Sequence, residues 1–342
     1  MNWSEKTDYG YALGRVRALE LTLLGRSQYE RLIRARAVSE FVTYVADAGY
    51  ACRMEDNFAQ ALATAEAENF AFFQRYCQDR WVLDLFRIQA DVHNLKVVMK
   101  HHFAGTEPKP DELLGHGKWP VAQLAALVTD EKNGKDKAVR IKLSPDDLGL
   151  YQLAVTEART RYDHTKDPGV IDMRLDRLAQ ELACRLTNRR SPFLYGYFSL
   201  HADLVNLRTL VRIKELGEDR KLFEYAFLPG GTLTRAWLNT IFPQDWDTLL
   251  HQFSFSRFRE VIEDGVRFLR GAPRSFARLE RLAREMELTW LRRSRYTPFG
   301  YEPLVTFYLL RDNEHTNLRQ LYAAKLVGWP ESICRDLVAY VD

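Results

Sequence analysis

Three histidines are the side chains of this sequence whose chemistry most resembles that of a metal site. His93, His101 and His102 lie close together in one predicted helix, and neutral imidazole is a common ligand of divalent metals. His93 and His101 are about two turns apart, however, which is not the spacing of a ligand pair. We therefore interpret these histidines as solvated or hydrogen-bonded side chains near a helix end, and we predict no metal site.

Two pairs of acidic residues are the next candidates, as catalytic carboxylates. Glu66 with Glu68, and Asp146 with Asp147, lie close enough in sequence for general acid–base chemistry. Acid pairs are nevertheless common on polar helix faces and in first helical turns, where no reaction takes place. The sequence also has no phosphate-binding Gly-x-x-x-x-Gly-Lys-Ser/Thr loop, no Gly-x-Ser-x-Gly elbow and no His-Glu-x-x-His helix. We predict a protein without catalytic residues or cofactor.

A short phrase that occurs three times is more informative than any of these candidates. Each copy reads acid, two variable residues, Asn, Leu, base, and the asparagines are separated by 112 and 111 positions. The residues are Asp91, Asn94 and Lys96; Asp203, Asn206 and Arg208; and Glu314, Asn317 and Arg319. Equal spacing predicts a structural unit of about a hundred residues that is present three times.

The phrase suggests a structural role for its asparagine. An asparagine amide has two donor hydrogens and two acceptor lone pairs, so a buried one is able to tie its helix to a neighbouring backbone segment. The base that follows either carries its charge to solvent or pairs with the acid one turn back on the same helix. Direct contact with a partner protein is the less favoured alternative.

Composition excludes several other classes of protein. The 49 basic and 46 acidic residues leave a net charge of +3, which argues against a dedicated nucleic-acid binder. The four cysteines, Cys52, Cys77, Cys184 and Cys334, show no paired spacing, so we predict reduced core residues. Residues 1–6 have no apolar core or cleavage signal, which predicts that the chain is not exported. The longest uncharged stretch, 191–202, is too short to span a bilayer.

Helical periodicity covers most of the chain, whereas strand-like alternation is hard to find. Apolar residues from Leu13 to Leu24 predict a first helix, and Ser39 is a candidate cap for a second helix that ends near Gly49. The segment from Asn69 to Lys100 predicts one long helix, and Ser191-Pro192 predicts the start of another.

Turn signals place the boundaries between the predicted repeats. Glycines and prolines between His102 and Pro120 and the charged stretch Asp130 to Lys137 mark the first junction. We predict an all-α fold of three helical-bundle repeats, at residues 1–118, 119–235 and 236–342, arranged as a pseudo-threefold funnel. The run Arg292-Arg293-Ser294-Arg295 indicates either an acidic lipid or protein partner or a solvated basic face.

The whole sequence resembles the C subunit family of the V/A-type rotary ATPases, whose member in the eukaryotic vacuolar enzyme is called the d subunit. The resemblance is carried by three groups of residues. They are Tyr9 to Ala12 with Arg15 to Glu20 and Leu23-Leu24; Tyr195-Gly196-Tyr197 with Asp203, Asn206 and Arg208; and Phe299 to Leu304 with Glu314, Asn317 to Arg319 and Lys325 to Glu331. The junction from Glu107 to Lys118 is less similar to the family.

The resemblance implies a non-catalytic rotor part with a mechanical function. In such a role the chain is peripheral to the membrane, on its cytoplasmic face. It seats the central shaft, of D and F type subunits, on the membrane ring of proteolipid subunits and passes on rotation that drives proton or sodium transport. A helical-repeat adaptor that binds a peptide or protein in its concave face is the alternative. A helical enzyme that depends on a metal or cofactor is a third possibility.

Overall fold

Helices form the regular structure of the chain in the computed structural model, which describes residues 9–52, 57–129, 145–271 and 274–341. Within these ranges there are sixteen α-helices, two short 3₁₀ helices and no β-strand, so the predicted all-α class is confirmed. The side chains of residues 145 and 146 are not described. The opening residues 1–6 and the charged stretch Asp130 to Lys137 lie outside the described residues.

The helices fall into two compact units. Unit 1 combines residues 1–79 with 246–342, and unit 2 is residues 80–245. The described helices of unit 1 are α1 (Gly10–Glu20), α2 (Arg26–Arg34), α3 (Val38–Asp47), α4 (Phe58–Tyr76), α12 (Trp246–Gln252), α13 (Arg259–Leu269), α14 (Ala277–Leu291), α15 (Glu302–Leu326) and α16 (Glu331–Leu337). Those of unit 2 are α5 (Arg80–Ala104), α6 (Val121–Thr129), α7 (Pro145–Thr165), α8 (Gly169–Thr187), α9 (Pro192–Leu216), α10 (Arg220–Ala226) and α11 (Arg235–Ile241).

Each unit has its own apolar core. In unit 2, Leu95 and Met99 of α5 belong to a buried cluster with Leu124 of α6, Tyr151 of α7 and Leu175 of α8. In unit 1, Phe41 and Phe58 belong to a buried cluster with Leu318 and Leu321 of α15 and Cys334 of α16. Unit 1 therefore brings together helices from both ends of the sequence.

The predicted helix boundaries hold in part. Ser191 caps α9, because its hydroxyl accepts a hydrogen bond from the Leu194 N–H at 3.1 Å. The prediction that Ser39 caps the second helix is wrong. Helix α3 begins at Val38, after Ala37, so Ser39 lies inside it. The stretch from Asn69 to Lys100 is also not one helix: an extended backbone at Cys77 separates α4 from α5.

Three helices of 25 residues each carry one copy of the phrase: α5, α9 and α15. Each is followed by a glycine with positive φ, namely Gly105 (67°), Gly217 (71°) and Gly328 (69°). The N–H of the next residue bonds the carbonyl five positions earlier in all three cases, as in a Schellman motif. The three helices therefore end in the same way, and glycine is the residue that adopts this left-handed conformation without strain.

The three-repeat division of the chain stays a prediction. Unit 2 holds the phrases of α5 and α9, and unit 1 holds that of α15. Local geometry thus repeats three times, whereas a rotation that relates the three bundles remains an expectation.

Candidate functional site

The three asparagines of the phrase make the same pair of hydrogen bonds. Asn94 donates to the carbonyl of Leu114 at 2.9 Å and accepts from its N–H at 2.8 Å. Asn206 does the same with Leu228, at 2.9 and 2.8 Å. Asn317 does so with Ala339, at 2.7 and 3.2 Å. The bonded residue lies 20, 22 and 22 positions after the asparagine, respectively.

These hydrogen bonds hold each long helix against the segment that follows it in the sequence. A primary amide offers a donor and an acceptor side by side, so it matches the N–H and C=O of one residue as a neighbouring β-strand would. The three asparagine residues are 1%, 0% and 0% exposed, so loss of the amide would leave buried peptide groups without a hydrogen-bond partner. We name these three contacts the asparagine tethers.

The acids of the first two copies bind the backbone of the same returning segments. Asp91 accepts from the N–H of Trp119 at 3.0 Å. Asp203 accepts from the N–H groups of Thr232 at 3.0 Å and Leu233 at 2.8 Å. A Cβ at Gly117 would lie 2.4 Å from an Asp91 oxygen, and one at Gly231 would lie 2.2 Å from an Asp203 oxygen. Glycine at both places lets the backbone approach the carboxylate.

The third copy has a glutamate, and its longer side chain reaches different partners. One oxygen of Glu314 accepts from the N–H of Leu24 at 2.5 Å. The other accepts from the Tyr50 hydroxyl at 2.5 Å and from Arg311 at 2.6 Å. Asn317 also donates to the hydroxyl of Tyr29 at 3.1 Å. The third copy therefore binds the N-terminal segment of unit 1 as well as the C-terminal one.

Burial sets the protonation of several groups in these networks. Burial raises the pKa of Asp91 to about 7, although bonds from the backbone oppose the shift. Burial also raises the pKa of Tyr50, and the charge of Glu314 adds to the shift, so the phenol stays a donor. Burial, and then the charges of Arg311 and Arg319, lower the pKa of His315 to about 3. His315 is therefore neutral at ordinary pH.

The bases of the phrase bind other helices in two copies. Lys96 pairs with Asp176 of α8, and Arg319 pairs with Glu66 of α4. Arg208 is half-buried on α9. Lys96 and Arg319 thus hold a long helix to a packed neighbour, and neither pairs with the acid of its own phrase.

The histidines singled out from the sequence have three different partners and share no ligand position. The Nε2 atom of His93 lies 3.1 Å from the Glu112 carbonyl, and that of His101 lies 3.1 Å from the Glu112 carboxylate. His102 contacts the ring of Phe103. In the described part of the chain, no group of three or more His, Cys, Asp or Glu residues has a geometry that could hold a metal ion.

The other candidate side chains are separate from one another. Glu66 is engaged by Arg319, and Asp147 lies 3.9 Å from Arg185. Glu68 is exposed, and the side chain of Asp146 is outside the described residues. The four cysteines form no disulfide bond; Cys52, Cys77 and Cys334 are buried and Cys184 is half-buried.

The partners of the tethers could not be predicted from the sequence, because a backbone peptide group has no sequence signature. The ends of the long helices do have one: a glycine follows each asparagine by eleven positions, at Gly105, Gly217 and Gly328. The constant distance from phrase to glycine marks the end of each long helix.

The described helices include none that is long and apolar enough to cross a membrane.

Residues 12–337 match the sequence model of the ATP synthase (C/AC39) subunit family. The chain belongs to this family. The match covers all three phrases and their asparagines, and the resemblance found in the sequence is confirmed.

Individual relatives agree with the family. The A-type ATP synthase C subunit of Pyrococcus furiosus is 20% identical over 327 residues, which cover 92% of this chain and 86% of the relative. The protein of that name from Methanothermobacter thermautotrophicus is 21% identical over 350 residues, covering 97% and 88%. The one from Desulfurococcus sp. is 23% identical over 332 residues, covering 94% and 87%.

Proposed function

We propose that this protein is a non-catalytic central-stalk subunit of a V/A-type ATPase or ATP synthase. In this role it is the socket that joins the rotating shaft, of D and F type subunits, to the proteolipid ring on the cytoplasmic face of the membrane. The observation that carries the proposal is the family match over residues 12–337. The relatives with similar sequences are named as C subunits of A-type ATP synthases.

The asparagine tethers suit a part that transmits force. Each ion moved against 100 mV costs about 2.3 kcal/mol, so a joint in the rotor bears a comparable load at each step. A helix that is free to slide along its neighbour would dissipate this energy. Paired buried hydrogen bonds at Asn94, Asn206 and Asn317 fix the position of each long helix against the segment that follows it.

Reconstituted vesicles test the proposal directly. The complex is assembled with and without this protein, and ATP hydrolysis and ion transport are measured on the same vesicles. Without the protein we expect hydrolysis to continue, because the catalytic sites belong to other subunits, and transport to stop, because the shaft no longer turns the ring. Adding the purified protein back should restore transport.

Three other outcomes would overturn the proposal. Ion transport that persists without the protein would show that it is not the joint. Loss of hydrolysis by the soluble sector would indicate a regulatory or assembly role. If the protein instead co-purifies with none of the ATPase subunits, the adaptor interpretation replaces the rotor.

A further inference from the structure

A short surface of unit 1 combines cations with exposed aromatic rings. It is built on the 3₁₀ helix Arg292–Tyr296 and the turn that follows, and we name it the basic-aromatic patch: Arg293, Arg295, Tyr296 and Phe299. Tyr296 is 75% exposed and Phe299 39% exposed, and both arginines are exposed. Residues three apart share one face of a 3₁₀ helix, so Arg293 and Tyr296 point the same way.

The patch is held rigidly by the residues between its members. Ser294 is 2% exposed, and its hydroxyl lies 2.7 Å from that of Thr306, which donates to the Leu291 carbonyl at 3.1 Å. Arg292 bonds the carbonyl of Val341. The carbonyl of Arg295 accepts from Arg17 of α1 at 3.0 Å. The exposed side chains therefore stand on a fixed backbone.

The charges of the patch are not neutralised within the described part of the chain. No carboxylate there lies within 4.0 Å of the Arg293 or Arg295 guanidinium. Many other arginines of unit 1 do pair with acids, among them Arg31, Arg278, Arg281, Arg311, Arg319 and Arg335. Arg293 instead lies over the Trp290 ring at 4.1 Å and Arg295 over the Tyr296 ring at 4.8 Å.

We propose that the basic-aromatic patch binds the headgroup region of an anionic phospholipid surface. An acidic peptide would need only the two arginines, and it would leave Tyr296 and Phe299 in water. A lipid interface uses all four side chains, because tyrosine is enriched at headgroup depth, phenylalanine enters the acyl boundary and arginine attracts anionic headgroups. The proposal goes beyond the rotor function and does not depend on it.

Vesicle sedimentation with the purified full-length protein tests this assignment. The probes are vesicles of phosphatidylcholine alone and of phosphatidylcholine with phosphatidylserine, neither carrying any ATPase subunit. We expect binding to the anionic vesicles that weakens as salt is raised. The double variant Arg293→Gln/Arg295→Gln should bind about 25-fold less tightly, since each arginine near an anionic surface contributes a factor of about five. Tyr296→Ala/Phe299→Ala should also bind less tightly.

Matched controls lie on the same unit. Arg267 has a side chain that is 77% exposed, and Phe255 is 101% exposed. Arg267→Gln and Phe255→Ala should bind like the unchanged protein, and circular dichroism checks that every variant is folded. An equal loss of vesicle affinity in these controls would overturn the proposal. Equal binding to neutral and anionic vesicles, or no binding to either, would also overturn it.

A competing polyanion separates lipid from protein partners. Polyglutamate should compete poorly with the anionic vesicles, and the Tyr296→Ala/Phe299→Ala variant should bind it as the unchanged protein does. Tighter binding to polyglutamate than to the vesicles would assign the patch to an acidic protein segment and overturn the lipid proposal. None of these results depends on coupling in the ATPase.

Discussion

A primary amide presents the same donor and acceptor pair as a peptide group, and the asparagine tethers depend on this match. We expect Asn206→Ala to lower the free energy of unfolding by about 1 to 3 kcal/mol, because the N–H and C=O of Leu228 lose their partner in a buried place. Urea unfolding measures the loss. Asn188 is exposed at the end of α8, so Asn188→Ala is the control.

The difference between the losses of unfolding free energy in Asn206→Ala and Asn188→Ala decides whether the Asn206 side chain stabilises the fold. Asn188→Ala should change the free energy of unfolding by less than about 0.5 kcal/mol, as surface substitutions usually do. A similarly small loss in Asn206→Ala would mean that the tether contributes nothing to stability.

The burial of Asp91 predicts a pH dependence of stability. Its pKa is raised to about 7 in the folded protein, against about 4 in an unfolded chain. Between these values the folded state binds more protons, so this carboxyl makes stability fall as pH rises, by at most about 1.4 kcal/mol per pH unit. The stabilising contribution is complete below about pH 4 and lost above about pH 7.

The variant Asp91→Asn removes this titration and keeps an acceptor oxygen for the Trp119 N–H. We expect the free energy of unfolding of the unchanged protein, relative to the variant, to be higher at about pH 5 than at about pH 8. Urea unfolding of both proteins at the two pH values measures the difference. A difference that does not change with pH would contradict the raised pKa.

At the scale of helices, the glycines that end α5, α9 and α15 are the most specific local feature. Gly217 has φ of +71°, where a side chain is strained, so Gly217→Ala should destabilise the protein by about 1 kcal/mol. Gly149 lies inside α7 with no atom within 4 Å of an added Cβ, and Gly149→Ala should stabilise it by about 0.5 to 1 kcal/mol. Thermal unfolding of both variants tests the contrast. Equal shifts of the same sign would contradict the helix-end role.

Helix type and the start of α9 could be predicted from the sequence, because periodicity and a Ser-Pro cap are local signals. The break between α4 and α5 could not, since no glycine or proline stands at Cys77, Gln78 or Asp79. There the Tyr9 hydroxyl accepts from the N–H groups of Gln78 and Asp79 at 2.9 and 3.0 Å. A residue almost seventy positions away thus satisfies the backbone where the helix ends.

In the candidate site, too, local sequence signals could be predicted and long-range contacts could not. The phrase and its spacing singled out the three asparagines, because residue identity is read directly from the sequence. The partners Leu114, Leu228 and Ala339 contribute only backbone atoms. The different binding of Glu314 depends on Leu24 and Tyr50, which lie 290 and 264 positions away. Contacts of that range follow from the tertiary fold and not from a motif.

At the scale of the whole molecule, a unit of sequence repetition need not be a unit of folding. The repeat at 119–235 contains α8 but lacks α5, whose Leu95 and Met99 share a buried core with Leu175 and Leu178. Cutting the chain at 119 would expose those side chains to water. The unit at 80–245 keeps both helices and the tethers of Asn94 and Asn206.

We therefore expect a fragment of residues 80–245 to fold by itself, with high helix content and a cooperative urea transition. A fragment of residues 119–235 should show weak helicity and no cooperative transition, because loss of α5 removes one side of its core. Circular dichroism during urea titration compares the two. A third fragment, of residues 246–342, should fail to fold, because Glu314 and Asn317 lose their hydrogen bonds to Leu24, Tyr50 and Tyr29. If 119–235 unfolds as cooperatively as 80–245, the sequence repeat itself is the folding unit, and α5 stabilises unit 2 without being required for it.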